Sequence, residues 1–439
     1  MKQGMKQGTM IERGVACALG ALLMLVGCSE DGALGPRAPN ANTPLQTKGT
    51  KTPLSVSPTA LVFSAFALGS GNARTLVATL QFASELRATT SNAAVATVSP
   101  SSAITTETAP ETHSAAFTVT PVGAGGCTIT VIDKKGNQAT VAVTVRLAGA
   151  LYVLRTQDTI FAFAPGATGN VSPVDTIAGS NTGLNHPHGI AFDGSGRLYV
   201  ANLSGPGITI YAAGASGNAT PAATITGSNT GLNFPSDVAF DASGQIYVAE
   251  AGSPPAIRVF APGASGNVAP IRTITGSNTG IVDPRGLMVD GSGNLYVADW
   301  GAPPTSSASV LVFAPGASGN ATPNATIAGN KTELATPGGL ALDASGRLYV
   351  ADNTFNHVLI FAPAASGNVA PSDSIVTSNP LAGNGDVIFD ASGQLYVANT
   401  GDHKILVFAA AASGNATPTA TIAGSNTGLF NPLSVAFSP

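Results

Sequence analysis

Two hydrophobic rhythms divide the chain. From about Pro53 to Leu147, short apolar runs alternate with polar positions, as in Ala60–Phe63, Ala94–Val98, Ala116–Val119 and Thr140–Val145, and clusters of turn residues separate them. A period of two broken at such spacings predicts a sandwich of roughly seven strands. Beyond residue 148 a long repeat takes over. A Leu/Ile-Tyr-Val triplet recurs with its Tyr at 152, 199, 247, 296, 349 and 396, at spacings of 47, 48, 49, 53 and 47. Five copies follow an apolar segment and a tight turn, whose glycines are Gly196, Gly244, Gly293, Gly346 and Gly393; a sixth apolar segment, Leu433–Phe437, has no triplet after it.

Each repeat offers four strand candidates, and four strands every ~40 to 50 residues is the pattern of a β-propeller blade. The first triplet lacks a preceding inner strand and the last inner segment lacks a triplet. One blade is therefore expected to draw on both ends of residues 148–439, which closes the ring and leaves no open edge at the seam. The expected fold class is all-β: a sandwich over 53–147, then a six-bladed propeller over 148–439.

The N-terminal end reads as an address. Lys2, Lys6 and Arg13 precede the apolar run Val15–Val26, which is shorter than the ~20 residues a bilayer span requires. It is a signal-peptide core, and residues 1–27 are expected to be removed. The run ends in Leu25-Val26-Gly27-Cys28, which resembles the bacterial lipobox. That resemblance implies acylation of Cys28 and export to the cell envelope with a lipid as the membrane attachment, and Ser29 after it implies the outer membrane, on its periplasmic or surface side. Residues 28–52, rich in Pro, Gly, Asn and Thr without periodicity, are a tether. Removing the signal takes away three positive charges and one negative, so the net charge falls from −4 to −6. No basic surface remains for nucleic acid. Of three cysteines, only Cys127 lies within a strand run, without a partner, and is expected as a small buried apolar residue.

Two further resemblances refine the domains. The phrases SVSPTALVF, SNAAVATVSP, GAGGCTITVID and GNQATVAVTV resemble bacterial immunoglobulin-like domains, which serve as spacers or adhesive modules. Asp352–Phe361 and Asn399–Phe408, each following Leu-Tyr-Val-Ala, resemble NHL repeats. The likeness covers about residues 150–439 and loosens at the Pro-containing loops Ser253-Pro254-Pro255 and Pro303-Pro304. It implies a structural place for His357 and His403.

In a propeller the first strand starts and the second strand ends on one face. Side chains there are expected to gather at one mouth of the axial channel: Arg155, Asn202, Glu250, Asp299, Asp352 and Asn399 after second strands, and His188, Asp237, Arg285 and Asp386 at the starts of inner strands. Two uses compete. Glu250, Asp299 and Asp352 with the amides could hold a hard cation such as Ca2+ through oxygen ligands, as related lactonase and amidating-lyase propellers hold a central metal for hydrolysis or elimination. Alternatively these side chains serve turn backbone groups, and the mouth binds a protein, peptide or glycan, with the sole tryptophan, Trp300, as an aromatic anchor. An adhesin-like role for the sandwich is a third option. No catalytic motif is present: the recurring Asp-x-Ser-Gly suits a hairpin turn, and Ser195 within it is not a nucleophile.

Overall fold

The computed structural model describes residues 54–439 except 59, 65–72, 81–83, 94, 110–111, 123–124, 147, 206, 303–306, 355–356 and 377–383. The expected signal peptide, the tether and Cys28 lie outside the described residues. Those described belong to a unit spanning 51–439 and are all-β apart from one 3-10 turn, Ser425–Thr427. Among them no helix is long and apolar enough to cross a membrane.

The N-terminal strands form two five-stranded sheets. In one, Ser55–Ser57, Arg74–Leu80, Thr112–Pro121 and Ala96–Ser99 lie side by side, and Thr106–Ala109 also pairs with Thr112–Pro121. In the other, Ala60–Ser64, Gln138–Arg146, Gly125–Asp133, Glu85–Thr90 and Ser102–Ile104 follow in that order, the first two in parallel. The period of two sends Leu76, Ala78, Phe117 and Val119 from one sheet, and Leu86, Ile129, Val131 and Val141 from the other, into one core. Cys127 is unpaired and packed in that core, as expected.

From Leu151 onward the chain forms repeated four-stranded antiparallel sheets, six among the described residues. Their arrangement is consistent with a propeller. Taken from the inside out, sheet two is Pro187–Phe192, Leu198–Asn202, Gly207–Tyr211 and Ala223–Ile225, and sheets three to six repeat this order. Sheet one is the exception. Its second to fourth strands are Leu151–Arg155, Thr159–Phe163 and Asp175–Ala178, and its innermost strand is the C-terminal Pro432–Phe437, with Leu151 opposite Phe437 and Val153 opposite Val435. The innermost strands touch in a closed cycle: Pro432–Phe437, Pro187–Phe192, Pro235–Phe240, Pro284–Val289, Pro337–Leu342, Asn384–Phe389, and back to the first.

The triplet tyrosines lie between sheets. Tyr152 meets Phe192 edge-on at 4.8 Å between ring centroids, Tyr199 meets Phe240 at 4.9 Å, Tyr349 meets Phe389 at 4.9 Å and Tyr396 meets Phe437 at 5.0 Å. Such contacts stabilise by about 0.5–1.5 kcal/mol each beyond the area they bury. The Asp-x-Ser-Gly turns behave as the sequence suggests: Asp193 Oδ1 accepts hydrogen bonds from Ser195 N, Ser195 Oγ and Arg197 N.

A second ring fastens the perimeter. The loop between the third and fourth strands carries Ser-Gly-Asn in sheets two to six and Thr-Gly-Asn in sheet one, and its Gly bridges in parallel to the outer strand of the preceding sheet, as Gly217 does to Ile177 and Gly169 to Ile422. The Asn then accepts a backbone N–H from the Gly-x-Asn loop that follows that outer strand: Asn218 from Asn181 at 2.8 Å, Asn267 from Asn229 at 2.7 Å, and Asn170 from Asn426 at 2.7 Å. The approach leaves room only for glycine. A Cβ on Gly179, whose φ is +127°, would lie 2.4 Å from Asn218 Oδ1.

The seam in sheet one makes the ring depend on its last residues. A chain ending after Gly424 would lose Pro432–Phe437 and expose the edge of Leu151–Arg155. Its thermal unfolding, followed by circular dichroism, is expected to lose the cooperative transition or to end in aggregation. A melt matching that of the full chain would contradict the shared sheet.

Candidate functional site

All six innermost strands begin irregularly. In sheet two Pro187 pairs with Asn202 and Gly189 with Ala201, so His188 is an extra residue in a β-bulge. The same shift leaves Ser236 extra in sheet three and Arg285 in sheet four. A bulge re-aims the side chain it frees. Here His188 and Arg285 turn to a cavity of about 190 Å3 at the axial mouth, which Asp237, Trp300, Asn353 and Asp386 also line. Gly338, Gly339 and Gly385 leave the other half of the mouth open.

The expected ring of carboxylates and amides after the second strands does not form part of that lining. Asn202, Glu250, Asp299, Asp352 and Asn399 are each at most 1% exposed. Glu250 accepts backbone N–H bonds from Asn233, Phe234 and Gly252 at 2.8, 2.7 and 2.9 Å. Asp299 takes those of Val282, Asp283 and Gly301, and Asp352 those of Ala335, Thr336 and Thr354. Asn202 accepts from Asn185 N, and Asn399 from Asp402 N. In sheet one the same place holds Arg155, which donates to the carbonyl of Gly428 at 3.1 Å.

The structure does not bring Glu250, Asp299 and Asp352 together at one point. They stand in three different sheets, their oxygens face loop N–H groups, and among the described residues no group of three His, Cys, Asp or Glu side chains could hold a metal ion. The physical reason is that the loop entering each inner strand has N–H groups with no ladder partner, and a buried donor must be satisfied. His403 does related work. Its Nδ1 accepts Asn431 N at 3.0 Å, and its ring lies 4.3 Å from that of Phe430.

Trp300 is half-buried at the mouth. Its Nε1 donates to the Pro337 carbonyl at 2.9 Å, and the Arg285 guanidinium lies 4.5 Å from the ring centroid. Arg285 is paired with Asp283 at 2.9 Å. His188 Nδ1 lies 2.9 Å from the Ser236 carbonyl, so the proton sits on Nδ1 and the Nε2 lone pair is free for the cavity. Enclosure by protein holds the His188 pKa below the ordinary value, and Arg285 adds to this.

The floor of the mouth carries two residues of one kind. Asp237 and Asp386 occupy equivalent positions on the innermost strands of sheets three and six, which face one another across a ring of six. Asp237 accepts from Val238 N and from Leu287 N of the next sheet, at 2.8 and 2.7 Å. Asp386 accepts from Val387 N, and from Ser434 Oγ and Val435 N of the next sheet. Each lies over a glycine of the preceding sheet: a Cβ on Gly189 or on Gly339 would fall 2.1 Å from the facing carboxyl oxygen. Burial raises the Asp386 pKa to about 6 against its hydrogen bonds, and raises that of Asp237 well above the ordinary range, with the Asp386 charge a further cause. The sequence placed Asp237 and Asp386 at the mouth, but not their opposition. The signal that marks it is a Gly in one repeat and an Asp in the same position of the next, at 189 and 237 and again at 339 and 386.

This placement has a consequence for stability. Because the folded-state pKa of Asp386 exceeds the unfolded value, the native chain holds a proton that the unfolded chain has released, and stability falls as pH rises from about 4 to about 6. The unfolding free energy of the wild type from urea titration, taken relative to Asp386→Asn, is expected to decline across that window by an amount on the order of 2 kcal/mol. The loss of one acceptor in the variant shifts both ends equally. A difference that stays flat with pH would contradict the raised pKa.

Comparison with known proteins leaves the family open. No family model matches the chain, and no curated protein matches it. Among solved structures, a protein of unknown function from Bacteroides caccae is 13% identical with a TM-score of 0.48, covering 66% of this chain and 98% of its own. The periplasmic gluconolactonase of Pseudomonas aeruginosa is 16% identical with a TM-score of 0.43, covering 72% and 96%. A Bacteroides thetaiotaomicron protein of unknown function is 12% identical with a TM-score of 0.40, covering 88% and 93%.

Proposed function

We propose that this chain is a lipid-anchored binding protein of the bacterial cell envelope, in which an immunoglobulin-like domain over 53–147 carries a six-bladed NHL-type propeller over 148–439, and that the propeller engages a protein or glycan partner at its axial mouth. The observation that carries this reading is the division of labour among polar side chains. Those placed to serve a metal are engaged by backbone N–H groups, whereas His188, Arg285 and Trp300 are turned to a cavity. A cavity of about 190 Å3 is below the usual size for a whole drug-sized ligand, roughly 300 Å3 and above. It suits one inserted group of a larger partner.

The rim supports the same reading. Phe234, Val282 and Phe430 are 45%, 36% and 43% exposed, and all three stand in loops that enter innermost strands on the side of the mouth. Exposed apolar residues around a polar cavity are the composition of a recognition face. Anchoring by Cys28 would set that face at the envelope surface on a tether of residues 28–52.

Two outcomes test this reading. Trp300→Ala is expected to weaken binding of a ligand found by glycan or peptide screening by about 2 kcal/mol or more, and that ligand should change the fluorescence of the single tryptophan. Trp300→Phe, which keeps an aromatic surface, should retain more of the affinity. Unaltered binding by Trp300→Ala would reject the mouth as the working face. Cys28→Ala, in turn, is expected to release the chain from the membrane fraction as a soluble exported protein, because the acyl chains supply the membrane affinity; a variant still extracted only by detergent would reject the lipid anchor.

A further inference from the structure

Below the mouth, on the far side of Asp237 and Asp386, the axis widens into a second cavity of about 470 Å3. Its wall takes one large apolar side chain from the last residue of each innermost strand: Phe192, Phe240, Val289, Leu342, Phe389 and Phe437. The only ionisable groups in that wall are the two aspartates, which line both cavities and separate them. An apolar chamber closed at one end by two opposed carboxyls has an electrostatic demand. Two negative charges facing each other across a channel repel, and burial of both aspartates leaves neither well solvated. Each carboxyl also has acceptor capacity left after its backbone bonds. On the mouth side His188 Nε2 adds a third acceptor without a partner in the protein.

We propose that the axial channel binds an amphiphilic primary amine, with the ammonium group held between Asp237 and Asp386 and the apolar tail in the lower chamber. An ammonium offers three N–H donors, one for each carboxyl and one for the imidazole lone pair, and its single positive charge offsets one of the two negative charges. A divalent cation fits less well, since it demands six or more oxygen ligands and the side chains that meet here supply two carboxyls and one imidazole nitrogen. The tail belongs below. The lower chamber is the larger, and the mouth already contains the cation of Arg285, paired with Asp283. The glycines at 189 and 339 are explained as well, because any side chain there would displace the carboxyls from the channel. The inference does not rest on the partner-binding reading, although His188, Asp237 and Asp386 also line the mouth cavity.

Calorimetric titration of the Cys28→Ala form of the full chain, which needs no detergent, tests it with n-hexylamine, n-hexanol and hexanoate at a mildly alkaline pH. Hexylamine is expected to bind one to one and about tenfold or more tighter than hexanol, the difference that a charge-assisted hydrogen-bonded head supplies; hexanoate should not bind. Asp237→Asn and Asp386→Asn should each remove most of that preference and leave hexanol unchanged. If neither variant folds, the wild-type comparison of amine with alcohol still decides. Equal affinities for the two would overturn the proposal, leaving an apolar chamber only. Trp300→Ala should leave hexylamine binding intact, which separates this site from the partner site above it. A large change of Trp300 fluorescence on adding hexylamine, or its displacement by a lysine-bearing peptide that quenches Trp300, would place the amine in the mouth and overturn the seating of the tail below.

Discussion

A backbone donor that leaves water must find an acceptor, and in this ring the demand is concentrated where a loop turns inward to start an innermost strand. Two consecutive N–H groups of that loop have no strand beside them. Glu250, Asp299 and Asp352 supply both oxygens, one to the loop and one to their own following turn in Asp299 and Asp352, at 2.7–3.1 Å. An unsatisfied buried N–H costs about 1–3 kcal/mol, so each of these side chains secures several kcal/mol that packing alone would not recover. The clamp also sets the height at which each innermost strand begins. The bulge follows within two residues, and with it the direction of His188 and Arg285. The mouth is thus a consequence of how the backbone is satisfied below it.

Closure then makes the geometry common to all sheets. Each sheet is joined to the next by the loop from its outer strand to the next innermost strand, and residues 423–431 do the same from sheet six to sheet one. Closure lies within sheet one, in the ladder from Leu151–Arg155 to Pro432–Phe437 inside, and is backed by the Asn170 to Asn426 clasp outside. The two fastenings act at opposite ends of a sheet. The inner one fixes the channel radius through six strands in mutual contact, and the outer one covers edges that would otherwise present free N–H and C=O groups.

The parts of this fold legible in the sequence are those with a period. The Tyr spacing, the Gly of the hairpin turns and the displaced last strand were sufficient to place the four-stranded units and the seam. The sandwich was less legible: among the described residues ten strands stand where roughly seven were expected, because short pieces such as Ser102–Ile104 and Thr106–Ala109 carry no alternation long enough to count. At the mouth, the sequence put the right residues at the right end but could not say where they point. Asp237 and Asp299 each stand near a strand end on the same face, yet one faces the channel and the other lies beneath a loop. What decides is the bulge, which shifts alternation by one residue, and a bulge leaves no mark in a pattern of apolar and polar positions. Trp300 was recognisable as an aromatic at the mouth; its engagement with Pro337 and Arg285 was not.

Repetition itself separates structure from function here. Where the repeats agree, the residue serves the ring: Pro at the first position of five innermost strands, the acidic or amide clamp of sheets two to six, the Gly-Asn of the outer loop and the triplet Tyr. Where they disagree at one structural position, the ring places no demand common to all sheets. The second residue of the innermost strands reads His188, Ser236, Arg285, Gly338, Gly385 and Leu433, and the third reads Gly189, Asp237, Gly286, Gly339, Asp386 and Ser434. No packing rule of a six-fold ring prefers such a sequence of side chains. The third-position set nonetheless has its own order, Gly then Asp then a backbone donor, occurring twice and half a turn apart. A six-fold scaffold has been given a two-fold pair of acids, and a pair facing across an axis has its meaning in what lies between them.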